Sequence, residues 1–122
     1  MYEVAHVGIV VTDADKSLNF YTTVLGCQQE ESYQDERIRL EFIKSGQLTI
    51  ELIQYKEDIE RERKAGRVDH IAFAVADIDA EIAKLRRQDV PLLFAEPKVS
   101  KDKKIMFFTG PDGERLEFVQ KL

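Results

Sequence analysis

The chain has 122 residues, 43% of them hydrophobic and 34% charged, with a net charge of −5 at neutral pH. That length suits one domain with a sizeable core, and the acidic balance argues against non-specific binding to nucleic acid or to an anionic membrane surface. No apolar run approaches the roughly 20 residues that span a bilayer, the start MYEVAHVGIVV lacks the basic region and cleavage site of a secretory signal, and the single cysteine, Cys27, can form no internal disulfide, so a cytoplasmic protein is expected.

Taken in chain order, the sequence reads as two copies of one pattern. VAHVGIVVTD, from Val4 to Asp13, opens the first copy with a β-rich run over His6 to Val11. Thr12, Asp13 and Asp15 follow as helix-capping residues. The spacing of Leu18, Tyr21 and Leu25 then predicts a helix packed on a sheet, with Gly26 as its stop. Cys27 to Tyr33 reads as a short strand, with Cys27 itself a plain small residue rather than a nucleophile. IRLEFIKSGQLTIELIQ alternates as a hairpin that turns at Ser45-Gly46.

KEDIERERKAGR, from Lys56 to Arg67, is a charge run of the kind that forms a solvated linker or short helix. VDHIAFAVAD, from Val68 to Asp77, then restarts the pattern. Its strand (His70 to Val75) is followed by the caps Asp77 and Asp79 and by a helical stripe of Ile78, Ile82 and Leu85, with Pro91 beyond. A short strand is predicted over Leu92 to Ala95, and a last hairpin over Lys104 to Gln120 turns through Gly110-Pro111-Asp112-Gly113. Each half is thus β-α-β-β-β. The fold class expected is α+β: two βαβββ modules in tandem within a single domain, module one spanning about 1–55, the linker about 56–67 and module two about 68–122.

Strand alternation places the only two histidines. His6, Gly8 and Val10 share one face, while Val7, Ile9 and Val11 make the branched face suited to lie under a helix. His70 repeats this arrangement, with Ala72 and Ala74 as its small neighbours. The last strand of each half holds a glutamate between apolar residues, Ile50-Glu51-Leu52 and Leu116-Glu117-Phe118. Alone, such a glutamate is more often an outward-facing residue of an amphipathic strand, and such a histidine a hydrogen-bonded core residue. Together, two imidazoles and two carboxylates in matching places suit a divalent first-row metal: nickel, cobalt, zinc, iron or manganese. Of the remaining residues, Phe107 and Phe108 divide between pocket and core by alternation. Arg39 shares a face with Arg37 and Glu41, where it meets either an anionic substrate or solvent at a strand edge.

VAHVGIVVTDADKSLNFYTTVLG, the ELI around Glu51, VDHIAFAVADIDAEIAKLRRQDV and GPDGERLEFVQ resemble the vicinal oxygen chelate superfamily, which includes glyoxalase I, over essentially the whole chain. The resemblance implies the glyoxalase/bleomycin-resistance/dihydroxybiphenyl dioxygenase-like fold and a metal-lined cleft. It maps the four metal-ligand positions onto His6, Glu51, His70 and Glu117. That His/Glu/His/Glu set looks most like bacterial glyoxalase I. It implies a lyase or isomerase in which the metal polarises a carbonyl and Glu117, with Glu51 as its counterpart, moves a proton through an enediolate. It also implies a small-molecule substrate and a homodimer. Where glutathione-using enzymes of this kind have arginine and asparagine, this chain has Val10 and Tyr55, so the thiol partner stays open. A methylmalonyl-CoA epimerase-like enzyme, a small-molecule binding or resistance protein, and a dioxygenase are the alternatives within the same superfamily.

Overall fold

The computed structural model describes residues 5–57, 68–100 and 102–122. The chain divides into two compact units, residues 1–62 and 63–122. In the first unit, β1 (His6–Val10) leads into α1 (Ala14–Thr23), then β2 (Gln28–Gln34), β3 (Ile38–Ser45) and β4 (Leu48–Tyr55). The second repeats the order with β5 (Ile71–Ala74), α2 (Ile78–Arg87), β6 (Lys98–Ser100), β7 (Lys103–Thr109) and β8 (Arg115–Lys121). The sheet orders are β1-β4-β3-β2 and β5-β8-β7-β6, so each sheet is the βαβββ module expected from the sequence. Most of the segment expected as a linker, its residues 58–67, lies outside the described residues.

The first and last strands of each unit run parallel, and the hairpins are antiparallel. This topology sets the opening strand beside the strand that carries the glutamate. The helix crosses one face of each sheet and buries apolar positions there. Ile43, Ile50 and Leu52 lie under α1, and Met106, Phe108, Leu116 and Phe118 under α2. The other face of each sheet holds the histidine and the glutamate.

Both helices start in the same way. Asp13 accepts from the Lys16 N–H and Asp77 from the Ala80 N–H, each at 3.1 Å, as N-cap carboxylates do. The first helical N–H is taken by a glutamine from the last strand: Ala14 N–H donates to Gln54 Oε1 at 2.7 Å, and Ile78 N–H to Gln120 Oε1 at 2.9 Å. Each glutamine lies three positions after the glutamate that precedes it on the strand. That odd spacing puts the two side chains on opposite faces of the strand.

Three expectations change in detail. The buried stripe of α1 is Ala14, Ser17 and Tyr21 rather than Leu18, Tyr21 and Leu25. The helix ends at Thr23, before Leu25, and Gly26 at φ +68° turns the chain so that the Cys27 N–H reaches the Tyr21 carbonyl at 2.9 Å. Leu92 to Ala95 forms a single bridge, Leu92 to Phe108, and the short strand lies at Lys98–Ser100 instead. Pro91 and Pro97 bracket the segment, and a proline has no N–H to extend a ladder.

Arg39 faces the helix side, neither a solvated edge nor the face of the histidine. Its guanidinium bonds Asp15 at 2.8 Å and the buried Glu41 at 3.0 Å. Glu41 also accepts from Gln29 at 3.0 Å and from the Ser32 hydroxyl. Lys104 makes the equivalent bond to Asp79 at 2.8 Å. These bases pin the helix starts to the third strands.

Candidate metal centre

In the first unit, the register of β1 on β4 sets His6 opposite Thr49 and Gly8 opposite Glu51. Residues opposite each other point to the same side, so His6 and Glu51 share the open face. Gly8 makes room there: a Cβ at that position would lie 3.6 Å from Glu51 Oε1 and 3.1 Å from Ile53 Cδ1. The His6 ring stands edge-on to Phe42, 6.3 Å between centroids, and Phe42 lies opposite Glu51 on β3. Val10 faces Ile53 on the same surface, which makes this part of it apolar.

In the second unit His70 immediately precedes β5, and Ala72 lies opposite Glu117. The structure brings these two side chains together: His70 Nε2 is 3.0 Å from Glu117 Oε1. The other ring nitrogen, Nδ1, is 2.8 Å from Asp69 Oδ2. Asp69 also has Arg115 at 3.6 Å, and the hydrogen bond from His70 holds its carboxyl below the usual aspartate range. Phe107, opposite Glu117 on β7, packs edge-on against the His70 ring at 5.1 Å, whereas Phe108 is fully buried under α2, the division expected from alternation. Glu117 is buried and His70 is one-third exposed.

Whether these residues fit a metal ion is decided by the chemistry of the donors. A neutral imidazole carries one N–H, yet His70 lies between two carboxylates. With the proton on Nδ1 facing Asp69, the Nε2 lone pair and a Glu117 oxygen would stand side by side as two donors for one cation. Two donors bound side by side to one ion at about 2.1 Å stand roughly 3 Å apart, which is the spacing of His70 Nε2 and Glu117 Oε1. The pair therefore fits. Among the described residues, no group of three or more His, Cys, Asp or Glu side chains is gathered where it could hold a metal ion. Of the four residues expected as ligands, His70 and Glu117 form one close pair, and His6 and Glu51 lie on adjacent strands of one face.

Asp69, Gln54 and Gln120 escaped the sequence reading. The glutamines were legible as the echo of ELIQ in EFVQ. Asp69 stands where the first copy has Ala5, so it breaks the repeat and offers no matching signal. Cys27 is buried, and burial pushes its thiol above the ordinary range, which suits a core residue rather than a nucleophile.

Residues 3–118 match the Glyoxalase/Bleomycin resistance protein/Dioxygenase superfamily. The uncharacterized protein YaeR of Escherichia coli (strain K12) is 33% identical over 98% of this chain and 96% of its own. A lactoylglutathione lyase of Neisseria meningitidis is 30% identical over 95% of this chain and 88% of its own. Metallothiol transferase FosB of Staphylococcus epidermidis is 31% identical over 93% and 78%. Among solved structures, the trypanothione-dependent glyoxalase I of Leishmania major superposes with a TM-score of 0.84 at 25% identity, covering 98% of this chain and 87% of that one. The tandem βαβββ units, their open faces with histidine and glutamate, and the match along nearly the whole chain place this protein in the glyoxalase/bleomycin resistance protein/dioxygenase superfamily.

Proposed function

We propose that this protein is a metal-dependent lyase or isomerase of the glyoxalase I type, with His6, Glu51, His70 and Glu117 as its metal-ligand residues. The observation that supports it best is the His70–Glu117 pair, whose 3.0 Å spacing suits two neighbouring donors to one ion. A bound nickel, cobalt or zinc ion, with iron or manganese also suited to such donors, would polarise a substrate carbonyl and acidify the C–H beside it. Glu117 is the base that takes this proton and returns it one atom away, and Glu51 is its counterpart. Phe107 and Ala72 lie opposite Glu117 on the neighbouring strands, on the same open face.

The substrate is a small carbonyl compound joined to a thiol. The apolar Val10 and Ile53 leave the identity of the thiol to experiment. In this reading the protein works in the cytoplasm as a homodimer.

The test starts from protein purified without chelator or affinity tag. Metal analysis should find about one divalent ion per donor set. Hemithioacetals of methylglyoxal with glutathione, bacillithiol and coenzyme A are then offered as substrates. Glu117→Gln should lower turnover by at least about 100-fold, the lower end of what a general base contributes. Protein that carries no metal and ignores added Ni²⁺, Co²⁺ and Zn²⁺ refutes the reading. Metal-loaded protein that turns over none of these thioacetals but exchanges the alpha deuterium of a 2-methylmalonyl thioester would be an epimerase instead.

A further inference from the structure

We propose that Asp69 is a positioning residue for His70: it accepts the Nδ1–H and so presents the Nε2 lone pair, beside Glu117, to a divalent cation. The inference rests on the proposed metal centre and adds a residue outside the four donors.

Three observations carry it. Asp69 Oδ2 lies 2.8 Å from Nδ1 while Nε2 lies 3.0 Å from Glu117 Oε1, so the ring is held at both nitrogens by carboxylates with opposite tasks. Arg115 stands 3.6 Å from the Asp69 carboxylate, and the Asp69 side chain is about half exposed, at 48%, so it contributes little to the core. Phe107 stands edge-on against the ring and restricts its rotation.

The chemical reason is one of tautomers. Without Asp69, the single proton of the neutral ring goes to Nε2 and bonds Glu117. Both donors are then occupied with each other, and that bond has to break before a cation enters. With Asp69, the proton stays on Nδ1, and the basicity of Nε2 rises as it does in carboxylate–histidine–metal arrangements. The first half has Ala5 in this place, which has no carboxylate. The two halves are therefore unequal, and the second holds the preorganised histidine.

Zn²⁺ affinity, measured by competition with a chromophoric chelator, and ¹⁵N-detected histidine spectra of the zinc-loaded full chain test this. In the wild type, the His70 Nδ1 proton should be present, shifted downfield and slow to exchange. Asp69→Ala should weaken Zn²⁺ binding about 10- to 100-fold and lose that proton signal, with its metal-free melting temperature unchanged. Asp69→Asn, which keeps an acceptor without the charge, should recover part of both. An Asp69→Ala protein that binds Zn²⁺ within twofold of the wild type and retains the proton signal overturns the inference while leaving the metal centre intact. A wild-type protein that binds no Zn²⁺ overturns both.

Discussion

A single missing side chain, at Gly8, leaves the space into which the Glu51 carboxylate leans. A Cβ there would be 3.1 Å from Ile53 Cδ1, closer than ordinary contact, and 3.6 Å from Glu51 Oε1. Gly8→Val should therefore displace Glu51 and weaken metal binding about tenfold, the equivalent of about 1.4 kcal/mol. The chain should still fold, with an overpacking cost of about 1–2 kcal/mol. Calorimetric titration with Zn²⁺ and thermal melts separate the two effects. Unchanged affinity would show that Glu51 has no part in the site. Two exposed carboxyls set a pH dependence at the same scale. The Arg39 hydrogen bond holds Asp15 below its ordinary 3.8, and the Arg37 backbone N–H, with Tyr33 and the Ile38 N–H, does so for Asp35. In each case the unfolded chain binds the proton more readily than the folded one. Their stabilisation is thus present above pH 3.8 and is lost as pH falls through the lower folded values. Urea midpoints should fall between pH 5 and pH 3, and the fall should be smaller in the Asp15→Asn, Asp35→Asn double variant.

Each helix is tied to its sheet at its first turn, by a capping aspartate, a glutamine from the last strand and a base from the third strand. Removing one cap of this kind costs about 1 kcal/mol. Gln54→Ala and Gln120→Ala should each lower stability by about that amount, because each strips the acceptor from a part-buried N–H. Their effects should add, since the two bonds lie in different units and share no partner. Chemical denaturation of the two single variants and the double variant measures this, and a loss confined to one of them would show that the repeat is not equivalent in energy. At this scale the sequence was partly legible. The period-two alternation of β3, β4, β7 and β8 and the capping aspartates follow from local chemistry. The inward face of α1 does not, because Ala14 and Ser17 are small residues whose burial depends on close approach of the helix to the sheet, and the apolar pattern pointed to Leu18 and Leu25 instead.

Each unit, considered by itself, covers one face of its sheet with one helix and leaves apolar residues on the other: Val10, Ile53, Leu40 and Phe42 in the first, Ala72, Ile105, Phe107 and Val119 in the second. A sheet with apolar residues on both faces needs a second covering layer, and about 60 residues alone bury too little surface for ready stability. A fragment of residues 68–122 should therefore remain largely unfolded by circular dichroism, while the full chain folds cooperatively. Sedimentation should give about twice the chain mass of 14.1 kDa; a monomer at all concentrations would refute the proposed homodimer. The repeat, the placing of both histidines on the unbranched face and the choice of Glu51 and Glu117 came from the sequence alone, because side-chain alternation along a strand is a local rule that holds whatever the strand pairs with. Which partners those residues meet was decided by the tertiary structure. The 3.0 Å approach of His70 to Glu117 depends on the parallel register of β5 on β8. The burial of Glu41 with Arg39 depends on where α1 crosses its sheet. The Asp69 hydrogen bond depends on a turn of the ring that no spacing encodes. Register and crossing are set by the summed packing of whole elements, and no single stretch of residues carries that sum.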